Sequence, residues 1–418
     1  MNLNEIMEEL RQLGVSARQN SINSVVVQQV SESPKPESDK IRVETLEEFK
    51  IFNLSLNNAV NGVNFSSIAS LDSSSRLMRS TFISLGIVGG TVKSDTKGIL
   101  NFPFDIDGKF VYSISYLELM RKLANGNFKR VEFKNPVGYE YAFDEVEYED
   151  SSNDSLYDVN DMLDEARLRV ENELIKSVND DLLIIDGPIY PTPIELVPTV
   201  LTNFPKDKDS LKHWGKPTHR WSIASLILER VKLLKDRKAI GIVKRLENSR
   251  KLGKVIPGLR GLADNEVLDI ISEKNCSNVI YPDLCVVGPL KLVVDISVRR
   301  DDTSQVILTP NDLPPRYSYY VIVRIPGGIK SFFRVESFDL NVLQNALPIV
   351  FSTITYSVLP LWIEQVDNSA KRVAKGLFYL SFNVLKDILS FLHDTKLAAI
   401  QISREIEAEK QSAISELS

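Results

Sequence analysis

The sequence predicts a mixed α/β protein, and three observations carry that prediction. "FSSIASLD" and "STFISLGIVGGTV" are short apolar, β-branched runs that read as neighbouring antiparallel strands, with "SSSRLMR" between them. "DMLDEARLRVENELIKSV" (161–178) places Leu163, Ala166, Val170, Leu174 and Val178 on one helical stripe. A short "NDD" turn then returns the chain into "LLII" (182–185), four apolar residues that read as a buried strand. Strands, then a helix, then a strand again describe a sheet with helices packed on it.

The remaining elements follow in order. Residues 2–14 form an amphipathic helix through Leu3, Ile6, Leu10 and Leu13, and "SESPKPESDK" (31–40) is a linker. Residues 1–45 are therefore expected to be a helix and linker available for a dimer or partner contact, ahead of a main domain over 46–418. A helix is expected over 44–60. Residues 93–155 read as an elaboration of short strands with an amphipathic piece at 115–124; with the acidic loop that ends it, the insertion covers about 93–160. Residues 221–236 are a basic helix and "AIGIVKRL" (239–246) a strand running into basic residues. "YSYYVIVRIP" and "SFFRVES" make a strand pair. From Pro360 to Glu409 the chain is mostly helix, with Leu377, Leu380, Leu385, Ile388, Leu389 and Leu392 as buried candidates.

A chain of 418 residues with 43% hydrophobic and 25% charged residues can bury a large core. The net charge of −6 does not by itself point to nucleic acid, but it conceals an asymmetry. Ten acids and no base lie between Asp144 and Glu165, whereas Lys206 to Arg260 is strongly basic. A solvated surface explains either run; a surface facing a polyanion explains the basic one equally well. Cys276 and Cys285 lie nine apart without a histidine cluster, so neither a zinc site nor a disulfide framework is expected. "MNLNEIMEELRQLGV" lacks the basic lead and apolar core of a secretory signal, and there is no membrane-length apolar run. A soluble, cytoplasmic protein without membrane contact is the expectation.

The chemistry concentrates at strand ends. Asp186 follows "LLII" directly and Asp72 follows "SSIASL", yet burying an unpaired carboxylate is costly. A divalent cation resolves that cost, because Mg²⁺ and Mn²⁺ take hard oxygen ligands from a few carboxylates. On the helix between them, Glu171 lies at the edge of the apolar stripe and is the preferred inward acid, with Glu173 second. Taken singly, an Asp-Gly after a strand is equally a turn, and Glu171 a solvated edge residue.

At these residues the sequence resembles the NurA nuclease family, which has a ribonuclease-H-like core. The resemblance is carried by "ASLDSSSR", "LLIIDGPI", the Lys-bearing "GIVKR" (241–245), "YYVIVRIPGGIKSFFRVE" and "YSVLPLWIEQVD" (356–367), in family order over about 65–400. It implies a ribonuclease-H-like mixed sheet flanked by helices, to which this chain adds an insertion and a long C-terminal helical region. By the resemblance, Asp72 and Asp186 match metal-binding aspartates, Glu171 the helix glutamate and Tyr356 the active-site tyrosine. The family's last ligand is a His or Asp shortly after a Pro-Leu pair. Asp367 stands there, in a segment one residue longer and with Ser357 replacing the first Pro; His213, His219 and His393 do not fit.

The resemblance also implies a metal-dependent deoxyribonuclease: a 5′–3′ exonuclease on single and double strands, with single-strand endonuclease activity as an addition. It implies one or two Mn²⁺ or Mg²⁺ ions, homodimers, and a HerA-type hexameric ATPase partner in archaeal DNA end resection, double-strand-break repair and homologous recombination. Asp72, Glu171, Asp186 and Asp367 would hold the metal, with Lys244 and Tyr356 completing the catalytic set. Arg76, Lys244, Arg245 and Arg250 would track the DNA backbone. Two other readings stay open: an inactive DNA clamp or adaptor in a HerA-type complex, and an unrelated binding protein.

Overall fold

The computed structural model describes residues 41–59, 65–79, 84–106, 159–191, 217–295 and 306–389, with short strand segments at 25–26, 298–299 and between 112 and 148. The expected helix over 2–14, the linker at 31–40, most of the acidic run and the chain beyond Leu389 lie outside the described residues.

One mixed sheet of ten strands dominates. In chain order these are β1 (Ile41–Ser55), β2 (Ile68–Arg79), β3 (Ser84–Ser94), β4 (Gly98–Phe102), β5 (Tyr112–Ser115), β6 (Leu182–Asp186), β7 (Ala239–Val243), β8 (Asp283–Val294), β9 (Arg316–Arg324) and β10 (Lys330–Ser337). Across the sheet the order is β1-β8-β9-β10-β7-β6-β2-β3-β4, with β5 also paired to β3. β2, β3 and β4 form an antiparallel meander, while β6 and β7 run parallel to β2.

Helices α1 (Val159–Ser177) and α2 (Pro217–Leu234) cover one face, burying Val170, Leu174, Ile223 and Ile227 with Leu71, Leu183 and Ile185. On the other face α4 (Leu340–Val350) and α5 (Leu361–Leu389) join Leu343, Leu347 and Ile363 to Ile68, Leu182, Ile184, Ile240 and Ile242. β6 is thus buried on both faces, which is why its sequence is continuously apolar rather than alternating. α3 (Asp264–Asn275) packs Val267, Leu268 and Ile271 on β8 and β9. Close approach of α1 and α5 to β3 depends on neighbouring glycines. A Cβ on Gly90 would stand 2.7 Å from Val170, and one on Gly89 would stand 2.8 Å from the Ala374 backbone.

Three local expectations are corrected. The helix expected over 44–60 is the long strand β1, with only Leu56–Ala59 helical. The ladder between β1 and β8 slips between Lys50 and Thr45. That irregularity leaves Val43, Leu46 and Phe49 three apart, the spacing of a helix, inside a strand. "SSSRLMR" is the continuation of β2, not a connector. Cys276 and Cys285 are joined in a disulfide, because the turn after α3 brings their Cα atoms within 6.1 Å.

Gly241 on β7 lies beneath the chain that leaves β6; a Cβ there would meet Ile189 N at 2.5 Å and Gly187 O at 2.6 Å. Gly241→Ala is expected to destabilise by about 3 kcal/mol, the upper range for overpacking. Gly376→Ala, in α5 with nothing within 4 Å, is expected to stabilise by up to about 1 kcal/mol. Urea unfolding of both variants checks the pair.

Candidate metal centre

The parallel register of β2 and β6 sets the site. Ile185 lies opposite Leu71, so the next residues, Asp186 and Asp72, emerge side by side at the strand ends. Both share the face of Ile184 and Ile68, towards α5. β7 continues the arrangement: Ile242 is opposite Asp186, and Lys244, two residues on, projects from the same face. From α5 comes Asp367. One carboxylate oxygen from each of Asp72, Asp186 and Asp367 lies within 4.8 Å of the others.

Lys244 Nζ donates to Asp186 Oδ2 at 2.5 Å and lies 3.7 Å from Asp367 Oδ1, and Lys371 donates to Asp367 Oδ2 at 2.7 Å. The chain leaving Asp186 turns sharply at Gly187, whose φ of 134° favours glycine. That turn is anchored by the fully buried Glu336, which accepts from Ile189 N at 2.9 Å. Arg316, also buried, donates to Glu336 at 3.3 Å and to Tyr190 O at 3.0 Å.

Electrostatics favour a cation here. Burial raises the Asp72 carboxyl well above the ordinary carboxylate range, and the Asp186 and Glu171 charges push it further. Burial also raises Asp186, to about 6, against the pull of Lys244. Burial works against the Lys244 ammonium, but Asp186 and Asp367 outweigh it and hold its pKa above the ordinary value. A triad of hard carboxylate oxygens, two of them starved of water, can hold Mg²⁺ or Mn²⁺.

The structure brings Asp72, Asp186, Asp367 and Lys244 together. Glu171 is buried beside them but outside the triad, with Oε1 accepting from Ser73 Oγ at 2.5 Å and Oε2 from Arg230 at 2.7 Å. Glu173, the second choice, instead pairs with Lys176 at the surface. Tyr356 is fully exposed in the connection between α4 and α5. Arg76, four residues beyond Asp72 on β2, is half-buried on the same strand face, and Arg245 and Arg250 are exposed after β7. The basic run is not all surface: Arg230 and Lys251 are buried. Sequence reasoning missed Ser73, Arg230, Glu336 and Lys371. Only Arg230 left a signal, since it falls in line with Ile223, Ile227, Val231 and Leu234 on the apolar stripe of α2.

The raised Asp186 pKa has a thermodynamic consequence. Its folded value near 6 exceeds an unfolded value of about 3.9, so its contribution to stability is complete below about pH 4 and lost as pH rises through 6. In EDTA, the stability of wild type relative to Asp186→Asn is expected to fall between about pH 4 and pH 6 and to level off above that. Mn²⁺ at a hundredfold excess over its Kd should restore about 2.7 kcal/mol to wild type at pH 7.5, and much less at pH 5. Thermal unfolding of both proteins, with and without Mn²⁺, measures this; equal pH profiles would contradict it.

The pattern that defines the NurA domain matches residues 21–372 of this chain. No curated protein matches it. Among solved structures, the NurA nuclease from Sulfolobus solfataricus is 12% identical, covering 81% of this chain and 91% of its own, with a TM-score of 0.38. NurA with manganese is 10% identical over 79% and 93%, with a TM-score of 0.39. NurA bound to dAMP and manganese is 9% identical over 76% and 88%, with a TM-score of 0.38. With the domain pattern spanning most of its length, from before β1 into α5, this chain belongs to the NurA domain family of nucleases.

Proposed function

We propose that this nuclease is a metal-dependent deoxyribonuclease acting on DNA ends, 5′ to 3′ on single and double strands, with single-strand endonuclease activity besides. The observation that carries the reading is the convergence of Asp72, Asp186 and Asp367 from two strands and a helix. The order β4-β3-β2-β6-β7, with its antiparallel meander and two parallel strands, supports the ribonuclease-H-like reading of the core. The inactive-clamp reading rests on the absent histidine and the altered Pro pattern at Ser357; a hard oxygen donor from Asp367 in the cluster answers the first and favours catalysis.

Asp72, Asp186 and Asp367 would hold one or two Mn²⁺ ions, or Mg²⁺, with Glu171 beside them. A bound ion supplies Lewis acidity towards the attacking water and the leaving oxygen. Lys244, within reach of two of the acids, offers its ammonium to the negative charge that builds on the phosphate. Arg76, Arg245 and Arg250 hold the DNA backbone, and Tyr356, fully exposed, is free to stack on a base. The same reading takes 46–418 as the nuclease domain with its insertion, to which the β1 residues 41–45 also belong, and the chain before β1 as the contact to a second copy or to a HerA-type hexameric ATPase in end resection and double-strand-break repair.

End-labelled duplex and single-stranded DNA should lose label with Mn²⁺ or Mg²⁺ and keep it in EDTA. Asp72→Asn and Asp186→Asn should each lower the rate by more than about 100-fold, beyond what loss of an outer partner costs. Wild-type protein that binds DNA yet never cuts it, even with the ATPase present, would instead make it a clamp.

A further inference from the structure

β2 extends past its partner at the metal centre. β6 pairs with it over Ile68–Leu71 and ends at Asp186, whereas β2 runs on to Arg79 with β3 along its other edge. From Ser73 onward, the edge that faced β6 carries no described strand, so the acids sit at the head of an open strand edge. Side chains alternate along it: Arg76 shares the face of Asp72, and Ser73 points to the α1 side. From α1, Arg167 reaches that second face. Its Nε donates to Ser73 Oγ at 3.4 Å and its Nη1 lies 3.9 Å from Asp164 Oδ1, both long contacts, and its side chain is 37% exposed. Glu171, one turn further along α1, does not depend on it, because Arg230 already donates to Oε2 at 2.7 Å. Arg167 is thus a cation beside the acids whose described contacts are weak. Partial burial works against its charge, yet Glu171, Asp164, Asp72 and Asp186 outweigh that and raise its pKa.

We propose that Arg167 is a substrate-binding residue that takes the phosphate next to the scissile one, on a DNA strand lying along the open edge of β2. The proposal rests on the nuclease reading, in which the scissile phosphate lies at the three aspartates with Lys244 beside it. Lys244 approaches the acids from the β7 side, through Asp186 and Asp367, and Arg167 from the α1 side, past Ser73. The two cations bracket the acids, so they meet different phosphates of one strand. A guanidinium offers a planar fork of donors that matches two phosphate oxygens at once. With a divalent ion on the acids, their pull on Arg167 weakens and its donors are left to the phosphate.

The test is cleavage of single-stranded oligonucleotides by the full-length protein in Mn²⁺, with one phosphate at a time replaced by an uncharged methylphosphonate. On unmodified DNA, Arg167→Gln should raise KM by about 10–100-fold, the worth of a hydrogen bond to a charged group. Its kcat should stay level, because a phosphate that does not react is bound equally in the ground and transition states. Arg167→Lys should recover part of the loss. Wild type should lose a similar factor when the methylphosphonate adjoins the cut. Arg167→Gln should lose nothing further at that one linkage, while other linkages still cost it. Losses that multiply at every linkage would overturn the assignment, as would a KM at the wild-type value. Mn²⁺ titration calorimetry without DNA separates substrate binding from a structural role. Arg167→Gln should bind Mn²⁺ as tightly as wild type or tighter, because a positive charge has left the acids. Weaker binding would mean that Arg167 holds the shape of the site instead. A wild type that cuts no DNA overturns the nuclease reading and this assignment together, whereas cleavage indifferent to Arg167→Gln overturns the assignment alone.

Discussion

Everything at the site depends on one pairing, the parallel ladder between β2 and β6. It places Leu71 against Ile185 and so brings two carboxylates to the same strand ends, a position that repels itself electrostatically. A slip of one residue would turn either aspartate to the opposite face, so the register is the constraint that the rest of the fold protects. β6 is clamped by apolar packing on both faces, and the chain beyond Asp186 is tied down through the buried Glu336–Arg316 pair. Gly241 leaves room for that chain to cross β7.

The two helical layers divide the labour. α5 brings Asp367 and Lys371 to the face that carries Asp72, Asp186 and Lys244. α1 and α2 bring Glu171 and Arg230 to the other face, where they meet Ser73. Adjacent glycines on β3 let both layers approach, because Gly89 accommodates α5 and Gly90 accommodates α1. Packing and chemistry are therefore coupled: a helix that stood farther from β3 would also withdraw its acid.

Much of this was legible in the sequence because it depends on period and order. The stripe of α1, the uninterrupted apolar run of β6, the strand pair β9–β10 and the start of α5 all follow from local patterning, and Glu171 was placed inward by its helical angle alone. Asp367 was reached through motif resemblance, since nothing local marks it. Other features depend on contacts distant in sequence. β1 was misread because a bulge imposes helical spacing on a strand. Arg230 and Lys251 were counted as surface charge because a run of bases looks alike whether solvated or buried. Ser73 leaves no local signal, because the partner of its hydroxyl is a glutamate 98 residues away.

The most direct test of a three-aspartate metal centre is the position of manganese in crystals of the protein, located by its anomalous scattering. An ion bound by Asp72, Asp186 and Asp367 is expected, with Lys244 turned from Asp186 and Asp367 towards the substrate side. Manganese ordered elsewhere, or absent at saturating concentration with Lys244 still joined to Asp186 and Asp367, would contradict it.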